Sequence, residues 1–176
     1  MIDTPPSTGQ DSTIPSLPDL ALSIGHTIYS RRIYVASSWR NPRQPIVVEA
    51  LRRCGHEVYD FRHPAPGNEG FKWSQIDPGW EHWSREQYLS ALEHPSAQAS
   101  FKLDFAGMRW ADTCVLVLPS GQSAHLKAGY FVGAGKLLHI LLAEEPEEPD
   151  LMYLLAASIS RSIAELVTVL QYGGPS

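Results

Sequence analysis

From residue 31 onward, short apolar runs alternate with segments whose apolar positions recur every three or four residues. Five strands are predicted by the apolar runs at 33–36, 56–60, 114–118, 137–142 and, more briefly, 159–160. Helices are predicted where apolar residues recur at helical spacing, with prolines or glycines marking some of the ends. The predicted helices cover about 42–55, 84–92, 96–111, 124–135 and 151–157, and a last one ends at about 171. This alternation predicts an α/β fold, a doubly wound sandwich with a central parallel sheet of about five strands.

Residues 1–30 depart from this pattern. They hold four prolines among many Ser and Thr residues, and no Lys or Arg. A segment of this composition buries too little apolar surface to offset the entropy lost on ordering. We therefore expect a flexible or appended N-terminal segment over 1–30, in which 19–30 could be an added helix or arm, and one domain over 31–176.

Length and composition narrow the class of protein. The chain has 176 residues, of which 43% are hydrophobic, and this suits a globular domain. No apolar run is long enough to span a membrane, and the first residues lack a secretory signal. Cys54 and Cys114 are too few for a disulfide framework or a cysteine metal site. We expect a soluble, cytoplasmic protein with no metal and no cofactor.

The formal net charge of −5 arises in one acidic segment. Residues 144–150 carry five carboxylates, so the rest of the chain is formally neutral. A nucleic-acid backbone is held by several Lys and Arg contacts, and the sequence offers no basic field of that kind. We therefore expect a small-molecule ligand, and neither a nucleic acid nor a membrane as partner.

Ligands of open α/β sheets bind beyond the carboxyl ends of the strands, which makes the loops after the predicted strands candidate sites. The turn at 120–123 is the best candidate for a small anion. Gly121 permits close backbone approach, Ser123 offers a hydroxyl and an N-cap, and the free amides of a helix start favour negative charge. A plain serine-capped helix explains the same residues equally well. Neither GxGxxG nor GxxxxGK[ST] occurs in the sequence.

Residues 61–83, called the aromatic segment below, form a long loop rich in Pro and Gly. A loop of this length in a compact domain is usually a lid or a binding segment. Its aromatic residues are Phe61, Phe71, Trp73, Trp80 and Trp83. We predict that it closes over a pocket and that Trp73 or Trp80 stacks on a flat ligand. Ser84 and Gln87 predict a capping box for the next helix.

Three blocks of sequence carry a family resemblance. The first is IYVASSWR at 33–40, the second is the spacing of Asp104 and Asp112, and the third is GQSAHLKAGY at 121–130 with the Gly residues and Lys136 that follow. Together they resemble the nucleoside 2-deoxyribosyltransferase-like superfamily, which includes nucleoside-monophosphate N-glycosidases. The third block is the most specific, and the resemblance covers about two thirds of the chain, from Arg31 to Leu142.

The resemblance implies a flavodoxin-like or Rossmann-like fold, a homodimer or larger homo-oligomer, and chemistry at C1′ of a nucleoside or nucleoside monophosphate. Ser38 and Arg40 would contact sugar or phosphate, and Asp104 would hold a sugar hydroxyl or act as an acid. Gly121 and Ser123 would belong to the turn that cradles the 5′-phosphate or hydroxyl.

The resemblance also suggests where the base lies. Trp73 or Trp80 would stack on it, since a flat apolar ring suits any nucleobase. Tyr34 stands where the family often has an aromatic residue, and a buried strand residue explains Tyr34 equally well.

The resemblance breaks down at the catalytic centre. The family nucleophile is a Glu in the helix of the third block, and the matching residue is Lys127, the only formal charge of an otherwise apolar helix. A carboxylate attacks C1′ to form a glycosyl-enzyme intermediate, which an ammonium group cannot do.

Three interpretations of Lys127 remain open. The chain is an N-glycosidase or deoxyribosyltransferase with an altered centre, a nucleotide-binding pseudoenzyme or sensor, or a variant engineered at this position. A charge on an apolar helix needs a partner unless its side chain reaches the surface, and the residues alone leave both outcomes open for Lys127. The resemblance places Asp104 and Lys127 together at the pocket, and it therefore implies an ion pair between them.

Two weaker constellations complete the candidates. His125 with Cys114 or Ser123 would suit nucleophilic catalysis, although no spacing supports a triad. His63 and His82 with Asp77 would suit a metal, although solvated loop histidines explain them better.

Overall fold

The computed structural model describes residues 30–145 and 149–172. It contains five strands: β1 (Arg32–Ala36), β2 (Glu57–Asp60), β3 (Thr113–Val117), β4 (Leu137–Leu141) and β5 (Ser158–Ser160). They pair in parallel in the order β2-β1-β3-β4-β5, with Leu116 opposite Ile140 in the register of β3 and β4. The predicted parallel sheet is confirmed, whereas the predicted N-terminal segment lies outside the described residues apart from Ser30.

The described residues contain five α-helices: α1 (Arg43–Arg53), α2 (Arg85–Leu92), α3 (Pro95–Trp110), α4 (Gln122–Gly133) and α5 (Ile163–Tyr172). One core cluster joins α1 and α5 to one face of the sheet, and a second joins α3 and α4 to the other face. The doubly wound architecture is therefore confirmed, as is the capping box of Ser84 and Gln87 at the start of α2. None of the helices in the described ranges is both long and apolar enough to cross a membrane.

The helical segment predicted over 151–157 is shorter in the structure and is a 3-10 helix. The structure has a short 3-10 helix at Leu151–Leu155, where Leu151 and Leu154 are 76% and 80% exposed. An isolated helical turn is stable only when an apolar face packs on the core, and these side chains point away from it. Two more 3-10 helices, Trp73–Gln75 and Trp80–His82, lie within the aromatic segment.

The order of the strands changes direction between β1 and β3: β2 lies on the far side of β1, and β4 and β5 lie beyond β3. The candidate site lies at this switch point, where the loops after β1 and β3 meet. The loop at 37–41 follows β1 and the turn at 120–123 follows β3. Side chains hold the two together: Ser37 Oγ donates to the carbonyl of Val117 at 2.9 Å, and Asn41 Nδ2 donates to the carbonyl of Pro119 at 3.1 Å. Ligands of doubly wound sheets bind at such a switch point.

Gly107 packs against the ring of Tyr59 and leaves no room for a side chain, whereas Gly129 has open space. The two glycines should therefore respond differently to alanine substitution in the free energy of unfolding. A Cβ at Gly107 in α3 would lie 2.6, 2.7 and 2.8 Å from three ring atoms of Tyr59. Gly107→Ala is expected to lower the free energy of unfolding by about 1–3 kcal/mol, because the ring must move. Gly129→Ala in α4 meets nothing within 4 Å and is expected to raise it by up to about 1 kcal/mol. Denaturant unfolding measures both, and equal changes would contradict this packing argument.

His139 makes stability depend on pH. Burial lowers the pKa of this β4 side chain from 6.5 to about 4, and Arg31 adds a smaller lowering. Between these two values the unfolded chain binds the proton and the folded chain does not, so the free energy of unfolding falls as the pH falls from about 6.5 to about 4. The loss attributable to His139 is expected to reach roughly 3 kcal/mol.

Urea unfolding at a series of pH values measures this loss. His139→Gln should flatten the dependence in that window, and His82→Gln, at an exposed position, should leave it unchanged. A dependence equally steep in His139→Gln would assign the effect to other groups, such as His56, whose pKa burial also lowers.

Candidate functional site

The centre of the candidate site is an ion pair between α4 and α3. Lys127 Nζ lies 2.7 Å from Asp104 Oδ2, and the two side chains are 19% and 28% exposed. The pair predicted from the sequence is confirmed. Because neither side chain is fully solvated, each depends on the other for compensation of its charge.

Two tyrosines complete the hydrogen bonds of the pair. Lys127 Nζ donates to the hydroxyl oxygen of Tyr34 at 2.9 Å, and the Tyr59 hydroxyl donates to Asp104 Oδ1 at 3.1 Å. The rings of Tyr34 and Tyr59 stack with centroids 5.0 Å apart. Burial, and then the negative charge of Asp104, raises the pKa of both tyrosines well above the usual range. Both hydroxyls therefore keep their protons at any physiological pH.

Aromatic faces surround the ammonium group as well. Lys127 Nζ lies 5.2 Å from the ring centroid of Phe61 and 5.3 Å from that of Tyr34. Such contacts stabilise a cation that has lost part of its hydration. Tyr34, which the sequence analysis names as a ligand contact, is fully buried with its hydroxyl, and that hydroxyl is bonded to Lys127 rather than open to solvent.

The chemistry open to this centre follows from these contacts. Asp104 is engaged by an ammonium and a hydroxyl, and Lys127 by a carboxylate and a hydroxyl. Neither is an unpaired carboxylate of the kind that attacks C1′ in retaining glycoside cleavage. The arrangement can recognise polar groups, and it offers no carboxylate nucleophile at position 127.

The 37–41 loop has a backbone held by hydrogen bonds and an exposed arginine side chain, that of Arg40. Ser38 Oγ accepts the backbone N–H of Arg40 at 3.2 Å, and the carbonyl of Ser38 accepts that of Asn41 at 3.1 Å. The Arg40 side chain is 85% exposed, and its Nη2 lies 3.8 Å from Glu81 Oε1. An exposed contact of this length contributes little energy, so Arg40 can turn to a ligand.

The 120–123 turn differs from the prediction in its cap. The N-cap of α4 is Gly121, not Ser123, and no side chain caps it. The helix closes on the carbonyl of Gly121, which accepts the amide of Ala124 at 3.1 Å, so Ser123 already lies in the first turn. His125 fixes this turn, because its Nδ1 lies 3.0 Å from the same carbonyl and its Nε2 lies 3.0 Å from the Tyr153 hydroxyl.

The aromatic segment packs against the 37–41 loop. Trp39 meets the ring of Phe61 edge-on at 5.4 Å, and Lys72 Nζ lies 5.3 Å from the Trp39 ring centroid. Trp73 is enclosed by other aromatic residues of the protein, Phe71, Trp83 and Tyr88, at 4.8–5.9 Å. The partly buried Trp80 begins the 3-10 helix that contains Glu81, the neighbour of Arg40.

Two cavities in the described part of the chain are lined neither by Lys127 nor by Asp104. One, of about 310 Å³, lies at the amino ends of the strands beside Arg32 and Lys136. The other, of about 660 Å³, lies between α3 and the start of the aromatic segment, and Tyr59 lines it. Neither is lined by a residue predicted to bind ligand, so the candidate site is defined by the switch point and the ion pair.

The two weaker constellations do not assemble. Within 30–145 and 149–172, no three His, Cys, Asp or Glu side chains are grouped to hold a metal. Asp77 instead accepts the indole N–H of Trp83 at 2.6 Å. Cys114 is fully buried, and burial raises the pKa of its thiol to about 12, which makes it a poor nucleophile.

The sequence interpretation missed the residues at the end of β2. Tyr59 binds Asp104, Phe61 faces Lys127, and Arg62 donates to the carbonyls of the 37–41 loop. Their position was the available signal, because side chains at the carboxyl end of a strand next to a switch point face its loops.

The sequence matches no protein-family model and no curated protein sequence. Among solved structures, the fold is similar to a 2-deoxyribosyltransferase from Bacillus psychrosaccharolyticus, at 20% identity and a TM-score of 0.49 over 77% of this chain and 89% of that chain. It is also similar to a CMP N-glycosidase of Clostridium botulinum, at 16% identity and a TM-score of 0.46 over 78% of this chain and 96% of that chain.

Proposed function

We propose that this protein binds a nucleoside or nucleoside monophosphate at the switch point and leaves its N-glycosidic bond intact. The observation that carries the proposal is the ion pair of Lys127 with Asp104, 2.7 Å apart, at the position where the resembling family has its nucleophile. The pair keeps a polar, aromatic-lined centre while the group that would attack C1′ is absent from position 127.

Binding is supported by the two loops that flank the pair. The exposed guanidinium of Arg40 and the hydroxyl of Ser38 lie on the 37–41 loop, and Gly121 and Ser123 lie on the turn beside it. A cation and the amides of a helix start both favour an anionic group, so phosphate or hydroxyl recognition belongs here. Trp73 or Trp80 would contact the base, and the ring of Trp73 already packs against Phe71, Trp83 and Tyr88.

The positive charge of Lys127 supports the proposal that the N-glycosidic bond is not cleaved. The transition state at C1′ resembles an oxocarbenium ion, which a carboxylate stabilises and an ammonium group opposes. Lys127 therefore disfavours the reaction even where a ligand is bound. Base release by the unmodified protein is the result that would replace this proposal by the N-glycosidase or transferase interpretation.

Titration with nucleotides tests the binding role of Arg40. Each common nucleoside and its 5′-monophosphate is added while tryptophan fluorescence and free base are followed. A monophosphate is expected to bind without release of base, and Arg40→Ala to weaken it about tenfold, or about 1.4 kcal/mol. Arg53→Ala is the matched control, since Arg53 is an exposed arginine at the opposite end of α1 that pairs with Glu49. Equal affinities of the two variants would remove Arg40 from the site.

Two expectations of the resemblance and the composition remain predictions. A homo-oligomer would be recognised by the mass of the particle in solution. A cytoplasmic location would be recognised by fractionation of the cells that make the protein.

A further inference from the structure

Arg62 gathers three backbone carbonyls of the 37–41 loop around one nitrogen. Its Nη2 donates to the carbonyl oxygens of Ser38 at 3.0 Å, Trp39 at 2.8 Å and Asn41 at 2.9 Å. Three main-chain acceptors on a single charged donor draw the loop into one conformation, because hydrogen bonds to a charged group are stronger than neutral ones.

Arg62 is itself held in place from β2. Asp60 is buried, and its Oδ1 accepts the backbone N–H of Arg62 at 3.0 Å and the side-chain amide of Gln44 at 2.7 Å. The guanidinium carbon lies 5.5 Å from the Trp39 ring centroid and 5.9 Å from that of Phe61. The planar group is thus oriented before any ligand arrives.

The opposite side of the loop is fixed to β3. Asn41 Nδ2 donates to the carbonyls of Val117 at 3.2 Å and Pro119 at 3.1 Å. The backbone between Ser38 and Asn41 is therefore tied on two sides, to β2 through Arg62 and to β3 through Asn41. In contrast, the Arg40 side chain in the middle of this span is 85% exposed.

We infer that Arg62 is a positioning residue: it holds the 37–41 loop so that Ser38 and Arg40 present their side chains to a ligand at the switch point. The consequence for affinity rests on the proposed function, whereas the consequence for the loop does not. Without Arg62, the loop must be ordered at the expense of binding energy, which weakens binding without removing any direct ligand contact.

Hydrogen exchange of the full chain tests the effect on the loop. In Arg62→Met, which keeps an unbranched apolar stem and removes the guanidinium donors, the amides of residues 39–41 are expected to exchange at least tenfold faster. Those of β3 and α4 should keep their rates. Arg52→Met is the matched control, because Arg52 also lies beside β2 and donates to one carbonyl, that of Val58 at 3.1 Å, away from the loop.

The second measurement is the affinity for the monophosphate that the unmodified protein binds most tightly. Arg62→Met is expected to weaken it about tenfold, and Arg62→Lys, which restores a cation, to recover part of both effects. Unchanged loop exchange in Arg62→Met overturns the inference, and so does faster exchange with unchanged affinity.

Two further outcomes are also decisive. If the unmodified protein binds no nucleotide, the proposed function fails, and loop exchange alone decides whether Arg62 positions the loop. If Arg62→Met does not fold, Arg62→Lys replaces it, with an expected increase in loop exchange of at least threefold. No increase in that variant overturns the inference.

Discussion

Replacing Asp104 with alanine is expected to lower the free energy of unfolding by about 3 kcal/mol, because a lysine side chain that is only 19% exposed loses its counter-ion. The remaining partner of Lys127 is the uncharged hydroxyl of Tyr34, and Tyr59 loses its acceptor at the same time. This loss lies at the lower end of the range for buried ion pairs, because both side chains keep some contact with solvent. Chemical denaturation measures it.

A double variant measures the interaction energy between Asp104 and Lys127 separately from the effect of each single substitution. Asp104→Ala with Lys127→Met removes both charges, and it is expected to cost less than the sum of the two single changes by about 1–3 kcal/mol. Glu49→Ala is the control, because Glu49 pairs with Arg53 on the exposed face of α1, and a change below about 0.5 kcal/mol is expected there. Additive effects at Asp104 and Lys127 would mean that the two charges are stabilised by water rather than by each other.

The strands could be predicted from the sequence because β3 and β4 are covered on both faces. Such strands need apolar side chains at nearly every position, and the runs at 114–118 and 137–142 have them. The ion pair could be predicted only through the resemblance. The apolar pattern around Lys127 indicates that its charge needs a partner or a path to the surface, and the match of Asp104 to the second sequence block is what names the partner.

Contacts between distant segments could not be predicted in the same way. The pattern of β2 predicts a strand but not its place beside β1, and that place brings Tyr59 to Asp104 and Arg62 to the 37–41 loop. The cap of α4 was misplaced because two serines, Ser120 and Ser123, flank the turn and neither caps the helix. The helix closes on the carbonyl of Gly121 instead, and His125, which reaches both that carbonyl and the Tyr153 hydroxyl, adds a contact across segments that the local sequence does not show.

Replacing Lys127 with glutamate is expected to produce the largest change in function. The variant has two carboxylates where the protein has an ion pair, and like charges at this distance raise the pKa of one of them. The resulting arrangement, one ionised and one protonated carboxyl, suits a nucleophile and an acid at C1′. We expect free base to appear from at least one nucleoside or nucleotide, detected by chromatography, where the unmodified protein releases none.

The stability of the same variant provides an independent check. Its cost at pH 7 is expected to be smaller than that of Asp104→Ala, because the two carboxyls can share a proton and Tyr59 still donates to Asp104. A carboxyl whose pKa is raised by folding binds its proton more tightly in the folded chain, so the free energy of unfolding of Lys127→Glu should fall as the pH rises above about 4.

Lys127→Gln is the control for the reaction, since it has the length of glutamate without the charge. Base release by Lys127→Glu and none by Lys127→Gln would identify residue 127 as the missing nucleophile. Equal release by both would place the nucleophile elsewhere. A Lys127→Glu variant that folds, binds nucleotide and releases no base would mean that the pocket has diverged from this chemistry beyond one residue, and that binding is the function of the protein.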